Sequence, residues 1–480
     1  MHMPLSSVGP GALEALNARV ADDLTYLDYP RDKAWTLPRS VDGLPVLDVL
    51  IVGGGQTGLS TAFALRRERI GSVLILDRNP EGYEGPWRTY ARMHDLRTPK
   101  NVTGPDLGIP SLTPRAWFEA RYGAARWEAI DSISREDWAA YLCWLRAVLA
   151  LDVRNRCAVE QIVPAGQYLR VNCQSGGSTH SMLARKVVLA TGFAGSGVLN
   201  VPEVVRSGLP ARKFAHSAQP IDFNALRGRR VAVIGAGAAA FESAAVALET
   251  GAARVELFVR RPQVPRVNAF HWTDFAGVMG HFAELPDLYR WRFSKRLLEA
   301  GHPPPAGSLQ RCVPFSNFGV RAGEPWLEVE DRPEGFRVRT PKGWSGFDFV
   351  ICGTGNAPDA RKFPPLAAFA DQIATWADRF TPPAGEESPH LAAYPYLGPA
   401  FEFIEKTPGA APLLRHIHSP NYCAQVSMGN SAGAPGLRFS IPRLVSGLVR
   451  DLFVDDADAY YRQFLEFKAP EPESIAFLNG

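Results

Sequence analysis

Two stretches of the chain repeat one pattern: a short apolar run, a glycine-rich break, apolar positions at helical spacing, then a second apolar run. The first is Val46 to Val52, Gly53-Gly54-Gly55-Gln56-Thr57-Gly58, a helical run Leu59 to Arg67, and Val73 to Leu76. The second is Val231 to Ile234, Gly235-Ala236-Gly237-Ala238-Ala239-Ala240, a helix ending near Thr250, and Val255 to Val259. Short apolar runs without alternation mark strands buried on both faces, as in a parallel sheet covered by helices. Elsewhere the spacing predicts an amphipathic helix over Gly11 to Leu27, with Leu13, Leu16, Val20 and Leu24 on one side, and a core helix over Trp138 to Leu151. Lys186 to Ala190 and Phe347 to Cys352 read as strands ending at small residues, and Pro262 to Ser308 as a helical excursion. Ser440 reads as the cap of a late helix with Leu444, Leu448 and Leu452 on one face.

The glycines indicate what the two breaks hold. In a strand–turn–helix unit the first glycine (Gly53, Gly235) permits the tight turn, and the middle one (Gly55, Gly237) lets backbone N–H groups approach a pyrophosphate. The third position (Gly58, or the permitted variant Ala240) lets the helix pack on the strand. Gln56 and Thr57 in one copy, and Ala238 and Ala239 in the other, begin the helices and face the same phosphates. Asp77 follows the second strand of the first copy, where a carboxylate accepts hydrogen bonds from a ribose diol, with Arg78 next to it. Arg260 and Arg261 stand there in the second copy and suit a 2′-phosphate, which favours NADPH over NADH. Two dinucleotides in one chain mean redox chemistry.

Thr191-Gly192 and Gly353-Thr354-Gly355 are breaks where a chain can pass close beneath a bound cofactor. One precedes the second turn and the other follows the segment that turn nucleates. The expected fold is therefore α/β, with two Rossmann-like dinucleotide-binding domains, the NADPH domain inserted into the FAD domain. Residues 1–205 form the first part of the FAD domain with an N-terminal helical extension. Residues 206–345 form the NADPH domain with its excursion at 262–308, and residues 346–480 complete the FAD domain and end in a helix.

Composition narrows this further. At 480 residues the chain is too long for one core. Fifty-two basic against 49 acidic residues, without a basic run, argue against nucleic acid. The start of the chain lacks the cationic and apolar segments of a signal peptide, and no run is a membrane span, so a cytoplasmic protein is expected. The six cysteines fall in no close sequence pair, which removes dithiol reductase mechanisms and argues against a metal site.

With these motifs the chain resembles the class B flavin-dependent monooxygenases, the group of flavin-containing, Baeyer–Villiger and N-hydroxylating monooxygenases. The resemblance covers residues 45 to about 455. It rests on the paired turns in the order FAD then NADPH, on Ala190-Thr191-Gly192, on Gly85-Pro86-Trp87-Arg88 and on Phe214-Ala215-His216-Ser217. It implies that Trp87 and Arg88 contact the flavin and that His216 couples the domains, although the family's Phe-x-Gly-x-x-x-His fingerprint is broken here. Where flavin-containing monooxygenases carry Thr-Asn-x-Ser-Lys, this chain has Leu96-Arg97-Thr98-Pro99-Lys100, which puts Arg97 at the asparagine.

The implied reaction is hydride transfer from NADPH to FAD and formation of a C4a-(hydro)peroxyflavin with O2. That adduct oxygenates a small molecule, expected at an amine or other heteroatom, in a dry site. Arg97, Lys100 and Asn101 are the candidates for the polar and cationic groups near the developing oxyanion, with His216 as the fourth catalytic candidate. Baeyer–Villiger oxygenation of a ketone, or flavin reduction without oxygen transfer, are the alternatives, and analogy allows a homo-oligomer.

Overall fold

The strand Leu44–Val52 is wholly buried from Val49 to Ile51 because parallel neighbours flank it on both sides. It is central to an eight-stranded sheet whose order is Val153–Arg154, Val73–Leu76, Leu44–Val52, Ser178–Leu189, Tyr168–Ser175, Ala158–Ala165. The last three form an antiparallel meander, and Ile417–His418 joins Ser178–Leu189 in parallel from far along the chain. The structure, a computed structural model, describes residues 11–29, 33–101, 103–193, 195–429 and 432–468.

The second sheet is all parallel, in the order Phe318–Ala322, Arg254–Val259, Arg230–Ile234, Phe349–Cys352, Phe214–His216. Its Ala-rich helix Ala238–Glu249 packs closely because Ala240, Ala244, Ala245 and Ala247 bury no bulk against the strands. A three-stranded antiparallel sheet, Glu328–Arg332, Gly335–Thr340 and Gly343–Phe347, is appended.

The expected return to the first domain at residue 346 comes later. Asp348 interrupts the apolar run by accepting the Arg230 backbone N–H at 2.7 Å, and Phe349–Cys352 then pairs between two strands of the second sheet. The chain crosses back at Asn356–Ala357, antiparallel to the outgoing Val198–Leu199. The late helix also starts earlier than Ser440: it runs Ala434–Asp455, begun by Pro435 in its first turn, with Ser440 buried inside it. The N-terminal helix Ala12–Tyr26 buries Leu16, Val20 and Leu24 as the spacing predicts.

The excursion is helical, with Ala276–His281, Asp287–Ala300 and Ala306–Cys312. It leans on the returned chain. Buried Trp291 donates to Glu386 O at 2.8 Å, and Arg443 donates to Gly280 O at 2.8 Å. No helix among the described residues is long and apolar enough to cross a membrane.

Candidate active site

At both glycine turns the backbone is closed where elements pack and open where a phosphate would approach. A Cβ on Gly53 (φ +109°) would lie 2.4 Å from Ala190 O, and one on Gly58 would lie 1.9 Å from Gly53 O. A Cβ on Gly235 (φ +135°) would lie 2.3 Å from Gly353 O. Gly237 meets nothing within 4 Å, and Gly55 only the Gly85 backbone at 3.7 Å or more. This is the cradle a dinucleotide pyrophosphate needs, once per sheet. The same contacts assign the two small-residue breaks. Ala190-Thr191-Gly192 lies against the first turn and Gly353-Thr354-Gly355 against the second, with open space beside Gly192 and Gly355.

Around the first turn, Asp77 is buried and accepts the N–H groups of Gly54 and Asn79, each at 2.8 Å. Burial raises its pKa and those two bonds oppose the rise. The carboxylate thus braces the turn itself, and Arg78 beside it is exposed. Gln56 accepts from Trp138 Nε1 at 3.2 Å and reaches Ala432 O, which brings the start of the helix Ala434–Asp455 next to the turn. Thr57 is buried in the first helix. Trp87 lines a cavity with Gly54, Leu59, Cys143 and Arg146, and its buried Nε1 has no partner among the described residues. That orphaned donor also fits an absent ligand. Arg88 donates to Gly82 O at 3.1 Å and lies 3.7 Å from Glu136.

His216 is fully buried. Its Nδ1 accepts the Ala218 N–H at 3.1 Å, so Nε2 carries the proton and donates to Gly355 O at 2.8 Å. Burial holds its pKa below the ordinary histidine range, and it is neutral. Asn200 N–H donates to the same carbonyl at 3.1 Å, and its side chain to Thr354 O at 3.2 Å. His216 therefore pins the crossing point between the domains, and its expected catalytic place becomes a positioning one.

The remaining cations separate. Lys100 donates to Trp127 O at 2.7 Å and Glu128 O at 3.3 Å at the end of the short helix Ala124–Glu128, so its charge neutralises a helix C-terminus and not an oxyanion. Asn101 is exposed in the same loop. Arg261 donates to Glu299 O at 2.6 Å and Leu298 O at 3.0 Å, which caps the excursion helix, whereas its neighbour Arg260 is exposed. Arg97 reaches across to the second domain, 3.3 Å from Glu242 on the helix Ala238–Glu249. Glu242 escaped the sequence reading, though a single acid inside an alanine-rich helix start was the available signal. Tyr422, which follows Asn421 and its 3.1 Å bond to Thr191 Oγ1, carried no signal.

Cys157 and Cys173 are brought together by the meander with sulfurs 2.9 Å apart, away from both open cradles. Burial pushes the Cys173 thiol up, which disfavours the thiolate a dithiol mechanism needs. All six cysteines are free. No group of three metal-binding side chains exists among the described residues.

Comparison with known proteins fits this arrangement. Residues 47–275 match the family of pyridine nucleotide-disulphide oxidoreductases. The FAD-dependent urate hydroxylase of Xanthomonas campestris pv. campestris is 44% identical over 463 residues, which is 96% of this chain and 97% of that protein. In fold, the ornithine hydroxylase of Pseudomonas aeruginosa (TM-score 0.66, 15% identity) covers 85% of this chain and 100% of its own. The L-lysine 6-monooxygenase of Pseudomonas syringae (TM-score 0.63, 17% identity) covers 84% and 99%. With 44% identity to a flavin hydroxylase along 96% of its length and the two-turn architecture of these enzymes, the chain belongs to the class B flavin-dependent monooxygenase family.

Proposed function

We propose that this monooxygenase hydroxylates urate, or an oxopurine of the same charge and shape, with FAD at the first turn, NADPH at the second and O2 as oxidant. The observation that carries the reading is the relationship to a urate hydroxylase along almost the whole chain, coupled to two cradles open at Gly55 and Gly237.

FAD reduced by NADPH supplies the activation of O2. The protein supplies the rest. The helix starts at Gln56 and Ala238 would present N–H groups to the two pyrophosphates. Asp77 holds the first turn in shape, and Arg260 gives the second a cation for the 2′-phosphate. His216 and Asn200 fix the Gly355 carbonyl at the crossing between the domains, which would hold the two cofactor cradles in one relation to each other. The excursion packs over the returned chain and helps to exclude water.

The test is rapid mixing of the FAD-loaded enzyme, reduced anaerobically with NADPH or NADH, against oxygenated buffer with and without urate. Faster reduction by NADPH and one urate consumed per NADPH are expected. Release of the oxygen entirely as hydrogen peroxide, with urate untouched, overturns the reading in favour of a reductase.

A further inference from the structure

Arg97 and Glu242 form an ion pair that stability does not explain. The Glu242 side chain is 5% exposed, whereas that of Arg97 is 49% exposed, and their one hydrogen bond is 3.3 Å long. Burial raises the Glu242 pKa, so folding this carboxylate into the interface is costly. A long, half-exposed pair returns little of that cost. The contact joins one Arg97 nitrogen to one Glu242 oxygen and is not bidentate, and half of the Arg97 side chain stays open to the cleft.

The surroundings suit a planar anion. Arg92 and Arg311 also face Glu242, and Arg311 is bidentate to Glu249 with both bonds at 2.7 Å. The field around Glu242 is therefore positive, which suits an anion. Tyr422 is 41% exposed, packs edge-on to Phe193 with ring centres 5.6 Å apart, and follows the Asn421 that bonds Thr191 in the small-residue break beside the first turn. The Arg97 charge also reaches Tyr422 and His302 of the excursion.

Resting on the reading above, we propose that Arg97 and Glu242 together recognise one edge of the substrate heterocycle, across the interface between the domains. The guanidinium donates to a carbonyl oxygen or deprotonated ring nitrogen, and the second Glu242 oxygen accepts from a neighbouring ring N–H. The Phe193–Tyr422 pair is the aromatic wall for the ring. A side-by-side donor and acceptor matches the alternating C=O and N–H edge of an oxopurine and rejects ligands lacking either group.

The experiment is equilibrium titration of urate into the FAD-loaded enzyme with NADP+ present, read by the flavin difference spectrum and calorimetry, without turnover. Arg97→Met is expected to weaken urate binding by about 30-fold, the loss typical of a charge-assisted contact. Arg97→Lys should recover part of this loss. Should Arg97→Met fail to fold, Glu242→Gln carries the test, with binding at least about fivefold weaker expected. Urate bound equally well by folded variants overturns this inference alone and leaves the pair a domain contact. No urate binding by the unsubstituted enzyme overturns the substrate proposed above, and this inference with it.

Discussion

Lowering the pH should destabilise the flavin domain through two buried histidines, and substituting one of them should remove half of the effect. His418 is fully buried; its Nδ1–H donates to Ala400 O at 2.8 Å and its Nε2 has no partner among the described residues. His416, nearly as buried, donates to Arg185 O at 3.0 Å. Burial and the charge of Lys186 lower both pKa values from 6.5 to about 4. The folded pKa is thus below the unfolded one, so the stabilisation is complete above pH 6.5 and fades as the pH falls toward 4. Between about pH 7.5 and pH 5 each histidine should cost roughly 2 kcal/mol, out of a full span near 3.4 kcal/mol for both pKa values passed.

His418→Asn keeps a donor for Ala400 O but has no proton to gain. Urea unfolding of wild type and variant across this range should give a difference in slope worth about 2 kcal/mol. Equal pH dependence in the two proteins would refute the reasoning, whatever the variant's absolute stability.

Three further outcomes follow from the site. Gly235→Ala puts a methyl 2.3 Å from Gly353 O at a positive φ and should abolish NADPH-dependent flavin reduction while FAD content persists; Gly237→Ala, with open space beside it, should fold normally and raise the KM for NADPH by at least about tenfold. Arg260→Ala should raise the KM for NADPH about 10- to 100-fold and leave NADH unchanged, whereas Arg261→Ala should lower stability by about 1 kcal/mol through the lost helix cap, with no change in coenzyme preference; steady-state kinetics with both coenzymes and urea unfolding check the pair. His216→Ala should slow flavin reduction at saturating NADPH, with substantial recovery in His216→Gln, whose amide can still donate to Gly355 O, as measured by anaerobic stopped flow.

The two cradles were legible in the sequence because they depend on local chemistry. A tight turn, a phosphate approach and a close helix each demand a small residue at one fixed offset, so Gly53, Gly55, Gly58, Gly235 and Gly237 could be assigned one by one. Apolar runs likewise identified the central strands, since a strand buried on both faces has no polar alternation to conceal it. Tertiary structure decided what depends on partners distant in sequence. Arg260 and Arg261 are adjacent and chemically equal, yet one meets the open C-terminus of the helix Asp287–Ala300 and the other does not. Lys100 and Arg97 sit three residues apart in one loop, but the loop's path sends one to Trp127 O and the other to Glu242 in another domain. Phe349–Cys352 belongs to the second sheet because Arg230–Ile234 and Phe214–His216 leave a gap of its width, a fact of pairing and not of propensity. Local conformation is fixed by nearest neighbours in the chain, whereas the partner of a charge is fixed by packing among elements well separated along it.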